Sequence, residues 1–171
     1  MMHRLAVLVA SALVVAACAS GPSAPPIDGR DVACADTVCI AYPSGWEVIE
    51  TGPDFIRFQH PSAPNVALAT VGPTNMEAVV VQAGGTWPAR PVDVVEAFWR
   101  LLEETGVGEL ATTTPVGDGA VRSMGAYEGG RLWYLLVPTG TSRAIGVEVR
   151  GPDASWESHA DVFFSEVVPI P

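Results

Sequence analysis

Alternating apolar and polar positions along much of the chain predict a series of short β-strands. Asp118-Gly119 and Gly129-Gly130 lie between such segments and are typical of tight β-hairpins. Because a hairpin joins neighbouring strands in opposite directions, we expect a largely antiparallel sheet. The pattern predicts strands at 37–42, 46–50, 55–60, 65–71, 109–116, 120–127, 131–137 and 143–149.

Two longer segments have the period of an amphipathic helix instead. In the first, 92–105, Val95, Phe98 and Leu102 fall on one face. The second, 154–167, follows Asp153, a residue type that commonly caps helices. Together with the hairpins, these helices predict an α+β fold in which helices cover a mostly antiparallel sheet.

A third helix is expected at 75–83. Thr74 and Glu77 have the spacing of a capping box, in which each side chain satisfies a backbone donor of the other residue. The consecutive residues Val79, Val80 and Val81 favour β structure, so a strand remains the alternative for this segment.

The first eighteen residues carry a separate signal. An apolar run from Leu5 to Ala17 is shorter than the roughly 20 residues that a transmembrane helix needs. The run ends in Val15-Ala16-Ala17-Cys18, which resembles the lipobox of bacterial lipoproteins. That resemblance implies removal of residues 1–17 as a signal peptide and acylation of Cys18. An ordinary signal peptide and a buried N-terminal helix are the alternatives.

Acylation of Cys18 would attach the chain to the extracytoplasmic face of a cell membrane or outer membrane. Residues 18–31 are rich in Pro, Ser and Gly and are expected to form a tether. Residues 32–171 have the length of a single domain. The predicted partner of the N-terminus is therefore the membrane, reached through its lipid.

The net negative charge of the chain argues against two classes of partner, nucleic acids and anionic lipid surfaces. The chain has 9 Lys and Arg against 19 Asp and Glu, for a net charge of -10. Binding to nucleic acid needs clustered basic residues, so nucleic acid is excluded as a partner. The same acidity opposes direct adhesion to anionic lipid headgroups.

Two cysteines remain once Cys18 is assigned to the lipid. Outside the cytoplasm, Cys34 and Cys39 are expected to form a disulfide, with free thiols or a catalytic or metal-bound pair as alternatives. His3, His60 and His159 are scattered and provide no set of four zinc ligands. We therefore expect no metal and no cofactor.

A compact turn motif carries a family resemblance. Tyr42-Pro43-Ser44-Gly45-Trp46, the central helix, the hairpin series and the closing helix resemble the PsbP/Mog1-like group, especially the actinobacterial Lpq-type lipoproteins. The resemblance implies an α/β sandwich over most of residues 37–171. Segment 75–91 departs from the family pattern, and nothing in the chain matches the metal or photosystem contacts of the plant members.

Two positions could carry chemistry beyond packing. Ser44 as a nucleophile would need His60 or His159 as its base, and no Gly-x-Ser-x-Gly motif supports that role. Trp87, in a segment with Arg90, is a possible binding residue for a sugar or an apolar partner. The alternative for Trp87 is a lid folded back over the core.

These observations predict a lipid-anchored, non-enzymatic binding or interaction module of the cell envelope. The concave face of the sheet or segment 75–91 would present to another envelope protein. The alternative is a carrier or sensor of a small apolar ligand or lipid, held in a cavity between helix 92–105 and the sheet. An enzyme is the third hypothesis.

Overall fold

The computed structural model describes residues 30–62 and 68–170, without the side chains of 168–170. The predicted signal peptide, Cys18 and most of the predicted tether lie outside the described residues. No helix in the described part of the chain is both long enough and apolar enough to cross a membrane.

The described residues form ten strands and three helices. In chain order they are β1 (Asp31–Cys34), β2 (Cys39–Tyr42), β3 (Glu47–Thr51), β4 (Ile56–Gln59), β5 (Leu68–Asn75), α1 (Met76–Gln82), α2 (Pro91–Glu104), β6 (Gly108–Gly117), β7 (Ala120–Tyr127), β8 (Gly130–Pro138), β9 (Arg143–Gly151), a 3-10 turn (Ala154–Trp156), α3 (Glu157–Glu166) and β10 (Val168–Ile170).

The strands form two sheets. Seven of them are arranged in the order β3-β4-β5-β9-β8-β7-β6, and every neighbouring pair is antiparallel. A smaller sheet has the order β1-β2-β10. The predicted α+β fold with a mostly antiparallel sheet is therefore confirmed.

One face of the large sheet is covered by α1 and α2. Val95 and Trp99 of α2 are fully buried against Leu132 and Leu136 of β8. Of the predicted apolar stripe, Val95 is fully buried and Phe98 and Leu102 are half-buried against the same cluster, while Trp99 adds a buried ring that was not predicted.

The opposite face is covered by α3 and the small sheet. Phe58, Trp133 and Phe163 are fully buried there, and Ile40 of β2 packs into the same cluster. Because consecutive side chains of a strand point to opposite faces, β8 supplies Trp133 to this core and Leu132 to the other.

The structure corrects several predicted elements. The strand expected at 37–42 is present as β2, and it pairs with a strand that was not predicted, β1, which begins at Asp31 within the predicted tether. Asn75, not Thr74, caps α1, because its side-chain oxygen accepts a 3.0 Å hydrogen bond from the amide of Ala78. The strand expected at 65–71 is described from Leu68 and extends four residues further than predicted, to Asn75, whereas residues 65–67 lie outside the described residues.

The end of the chain also differs from the prediction. Asp153 caps a 3-10 turn, accepting a 2.8 Å hydrogen bond from the amide of Ser155, and α3 begins only at Glu157. The short strand β10 was not predicted. It contains Pro169, which cannot donate to a strand ladder and is tolerated here at the edge of the small sheet.

Candidate functional site

A groove of about 430 Å³ opens beside α1 on the helix-covered face of the large sheet. The turn between β3 and β4 forms one wall, and α1 with Phe98 of α2 forms the other. β5, β8 and β9 supply the floor. The volume lies within the range of small-ligand sites, roughly 300 to 1,000 Å³.

Two glycines in the floor of this groove let neighbouring parts of the protein pack closely on the sheet. Gly72 of β5 and Gly146 of β9 are direct partners across the antiparallel pair. A Cβ atom on Gly146 would lie 2.6 Å from the hydroxyl of Thr74 and 3.0 Å from that of Tyr134. A Cβ atom on Gly72 would lie 2.6 Å from the carbonyl oxygen of Asp54. A side chain at either position would therefore displace Asp54, or Thr74 and Tyr134, so the packing of these neighbours explains both glycines.

Aromatic rings line the groove at one end. Phe98 stacks on Tyr134 with ring centroids 4.4 Å apart and an interplanar angle of 17°. Burial raises the pKa of the Tyr134 hydroxyl. A hydrogen bond with the Thr74 side chain lowers this pKa in part, and the negative charge of Glu148 raises it again. Tyr134 therefore stays neutral and can serve only as a hydrogen-bonding group, not as a base.

The two carboxylates that line the groove already have partners. Glu148 accepts a 3.0 Å hydrogen bond from the guanidinium of Arg150. Asp54 accepts one of 3.1 Å from the hydroxyl of Thr37. Among the described lining residues there is no Lys or Arg. The groove therefore offers hydrogen-bond acceptors to a ligand, but it has no cationic side chain that would bind an anionic one.

A smaller cleft, of about 210 Å³, brings together residues that are widely separated in sequence. Ser44, His60 and His159 line it, and the two imidazole rings meet edge to face with centroids 4.8 Å apart. The rings of Trp46 and Trp156 also pack edge to face on the His60 ring, with centroid distances of 5.2 and 5.4 Å respectively. Their positions in the sequence, 99 residues apart, do not predict that these two histidines are neighbours.

This cleft lacks the hydrogen bonding of a nucleophilic site. Nδ1 of His60 accepts a 3.2 Å hydrogen bond from the amide of Ser62. Burial lowers the pKa of His60, and the neighbouring His159 lowers it further. Within residues 30–62 and 68–170, the hydroxyl of Ser44 forms no hydrogen bond with either imidazole. The arrangement therefore provides no activated serine.

The turn that contains Ser44 has a structural explanation. Gly45 has a φ of 95°, in the left-handed region that glycine adopts readily. Trp46 is buried, and its ring packs edge to face on Phe163 with centroids 4.8 Å apart. The turn thus fixes α3 against the large sheet.

Trp87 and Arg90 lie outside the groove lining. Trp87 is half-buried against the apolar cluster between α1 and α2, which agrees with the lid interpretation. Arg90 is exposed and pairs with Asp93 at 2.7 Å at the start of α2. This contact raises the pKa of Arg90 and lowers that of Asp93. Arg90 therefore stabilises the start of α2, and Trp87 packs against the cluster that α1 and α2 share.

The predicted disulfide is present. Cys34 and Cys39 are bonded, and they are direct partners in the β1–β2 hairpin. The described part of the chain contains no group of three or more His, Cys, Asp or Glu side chains placed to hold a metal ion.

The groove residues were not singled out from the sequence, although a signal for them exists. In β5, Ala69 and Val71 are buried, whereas the alternate positions Thr70, Gly72 and Thr74 are small or polar. β9 repeats this pattern on the same face of the sheet. Central strands covered by helices usually carry apolar residues on both faces. Small and polar residues there indicate a face that the helices do not fully cover.

Comparison with known proteins identifies the fold. No family model matches the chain, and no curated protein matches its sequence. The solution structure of cyanobacterial PsbP (CyanoP) from Synechocystis superposes with a TM-score of 0.51 at 15% identity, covering 79% of this chain and 88% of that one. A crystal structure from Bacteroides thetaiotaomicron has a TM-score of 0.40 at 12% identity, covering 81% of this chain and 47% of that chain. The likeness to CyanoP concerns the fold alone, and by that fold the described residues form a PsbP-like α+β domain.

Proposed function

We propose that this chain is a non-enzymatic binding module of the bacterial cell envelope, held at a membrane by acylation of Cys18. The binding surface is the groove beside α1. The observation that carries this proposal is the groove itself, about 430 Å³, whose lining combines the half-buried rings of Phe55 and Phe98 with hydroxyl, amide and carboxylate groups.

The absence of catalysis is part of the proposal. Tyr134 is held neutral by burial, and the carboxylates of Asp54 and Glu148 are already hydrogen-bonded. Ser44 has no hydrogen bond to an imidazole among the described residues. These groups are arranged to hold a ligand and lack the nucleophile–base pair or poised acid that catalysis needs.

The alternative of a carrier for an apolar ligand has less support. Its expected cavity, between α2 and the sheet, is filled by Trp99, Leu132 and Leu136, all fully buried. The groove beside it is lined by hydroxyls, amides and carboxylates as well as rings. A lipid chain would leave these polar groups without partners, which is costly.

A membrane anchor is consistent with the charge of the domain. A net charge of -10 opposes adsorption to anionic headgroups, so a covalent lipid is needed to keep the chain at a membrane. In a host cell, we expect the wild-type chain in the membrane fraction, with mass spectrometry showing a lipid on Cys18. Cys18→Ser should release it from that fraction. An unmodified Cys18 in the mature chain would refute the anchor.

The groove is tested by site-specific photo-crosslinking in the same cells. A benzophenone amino acid at Gln82, an exposed residue in the groove wall, should give a defined crosslinked product. The same probe at Val81, which is 56% exposed but does not line the groove, is the matched control. Equal products from both positions, or none from Gln82, would contradict the proposal.

A further inference from the structure

We infer that the contact between His60 and His159 is an acid-sensitive latch, which holds α3 on the large sheet at neutral pH and loosens it in mildly acidic solution. The latch lies on the opposite face of the sheet from the groove, so the inference goes beyond the proposed function and does not depend on it. It follows from the hydrogen bonding of each imidazole, from the charges around the two rings, and from what α3 connects.

His60 can gain a proton only by losing a hydrogen bond. Its Nδ1 accepts a 3.2 Å hydrogen bond from the amide of Ser62, so the neutral ring carries its proton on Nε2. An imidazolium carries a proton on both nitrogens, and the proton on Nδ1 would point at the amide hydrogen of Ser62. Protonation of His60 therefore breaks this bond and displaces the chain after β4.

His159 meets a different obstacle to protonation. Its Nδ1 is buried and has no hydrogen-bond partner among the described residues. An imidazolium would place a charged donor at this buried position without an acceptor, which is costly. The ring also packs on His60 and on Trp156, with centroids 4.8 and 4.5 Å away, so a proton on one imidazole disfavours a proton on the other. Both histidines therefore gain protons more readily once α3 has moved away from the sheet.

The surrounding charges do not compensate a protonated imidazole. The charged side chains on the elements around the latch are Glu47, Arg122, Arg131, Asp153, Glu157 and Asp161. Arg122 of β7 pairs with Glu157 at 3.7 Å and also with Asp161. Asp153 caps the turn before α3. In the part of the chain that the structure describes, no carboxylate forms an ion pair with either imidazole.

The helix α3 connects the latch to the end of the domain that follows the predicted tether. Phe163 of α3 packs on Trp46 and Phe58, with ring centroids 4.8 and 5.4 Å away. The carbonyl oxygen of Glu166, its last residue, accepts a 3.1 Å hydrogen bond from the guanidinium of Arg30, within the predicted tether. The strand β10 follows α3 and pairs with β2. Loosening α3 therefore exposes apolar surface of the large sheet and weakens the contacts that hold the start of the domain.

Hydrogen exchange followed by mass spectrometry tests the latch on the full chain in neutral lipid nanodiscs, at about pH 7.5 and about pH 5. The measurement compares protection factors, which correct for the effect of pH on the intrinsic exchange rate, in α3 and in β8 with β9. We expect the protection of α3 to fall by at least about tenfold between the two pH values. At the lower pH it should also lie at least about tenfold below that of the two strands.

Variants separate the latch from the general docking of α3. The double variant His60→Phe, His159→Phe keeps two rings in the cleft that cannot gain a proton, so it should abolish the acid-induced loss of protection. Each single variant should reduce the loss. Arg122→Gln is the control, because it removes ion pairs of α3 that involve no histidine. It should lower the protection of α3 at both pH values and leave the acid-induced loss unchanged.

Three results would overturn the inference. The first is equal protection of α3 and the two strands at about pH 5, because α3 would then leave the sheet only on global unfolding. The second is protection of α3 that does not change with pH, and the third is an acid-induced loss that the double variant retains. None of these results bears on the groove, because crosslinking at Gln82 tests the proposed function separately.

Discussion

The indole nitrogen of Trp99 donates a 2.8 Å hydrogen bond to the hydroxyl of Ser123. Trp99 is fully buried, and Ser123, 2% exposed, is the one polar residue among the buried residues that the structure describes. The bond joins α2 to β7 inside an apolar layer. It thereby holds the helix turn from which Phe98 reaches the groove.

Replacing Ser123 by Ala should destabilise the domain. The indole N–H of Trp99 would stay buried without an acceptor, which costs about 1 to 3 kcal/mol in the free energy of unfolding. Urea unfolding followed by Trp fluorescence measures this change. Ser158→Ala, at an exposed position, should stay within about 0.5 kcal/mol of the wild type. Equal effects of the two substitutions would contradict the assigned role of Ser123.

Gly125 of β7 lies close to the buried ring of Trp99. A Cβ atom on Gly125 would lie 2.6 Å from that ring and would also clash with the carbonyl oxygen of Glu109. Gly125→Ala should therefore cost about 1 to 3 kcal/mol through overpacking. Gly140→Ala is the matched control, because nothing lies within 4 Å of a Cβ there. Thermal unfolding should show a lower Tm for the first variant only.

Much of the fold could be predicted because its signals are local. The stripe of α2 and the turn at Asp118 and Gly119 each depend on neighbouring residues, and both turn residues have the positive φ that a type I′ hairpin requires. The second hairpin shows the limit of such signals. Its positive-φ residues are Glu128 and Gly129, so Gly130 begins β8 and is not part of the turn.

The sites could not be predicted in the same way because they depend on strand register. Gly72 meets Gly146 only through the pairing of β5 with β9, and His60 meets His159 only after α3 docks on the sheet. A single sequence contains the alternation of each strand but not which strands pair. The disulfide is the exception, since Cys34 and Cys39 are close enough in the chain for their pairing to be expected from composition alone.

The disulfide should contribute measurably to stability. It closes a short loop between β1 and β2, for which the loss of chain entropy in the unfolded state corresponds to about 2 kcal/mol. The double variant Cys34→Ser, Cys39→Ser should lower the free energy of unfolding by that amount. Dithiothreitol should destabilise the wild type and leave the double variant unchanged. A wild type insensitive to reductant under unfolding conditions would contradict this prediction.

Stability should decrease in mildly acidic solution because of His60. Its pKa is lowered from the ordinary value of 6.5, first by burial and then by the nearby charge of His159. The folded state therefore binds a proton less readily than the unfolded state does. The contribution of neutral His60 to the free energy of unfolding is therefore fully present above about pH 6.5. It is lost as the pH falls through the pKa of His60 in the folded state.

Urea unfolding at about pH 7.5 and about pH 5 measures this loss. His60→Gln should reduce the difference in the free energy of unfolding between the two pH values, because the residue that gains the proton is gone. His159→Gln should reduce it less, since burial is the larger cause of the shift. Asp93 and Asp153 have lowered pKa values and lose their contributions only in more acidic solution, below their ordinary value of 3.8. A pH dependence in His60→Gln equal to that of the wild type would assign the acid sensitivity to groups other than His60.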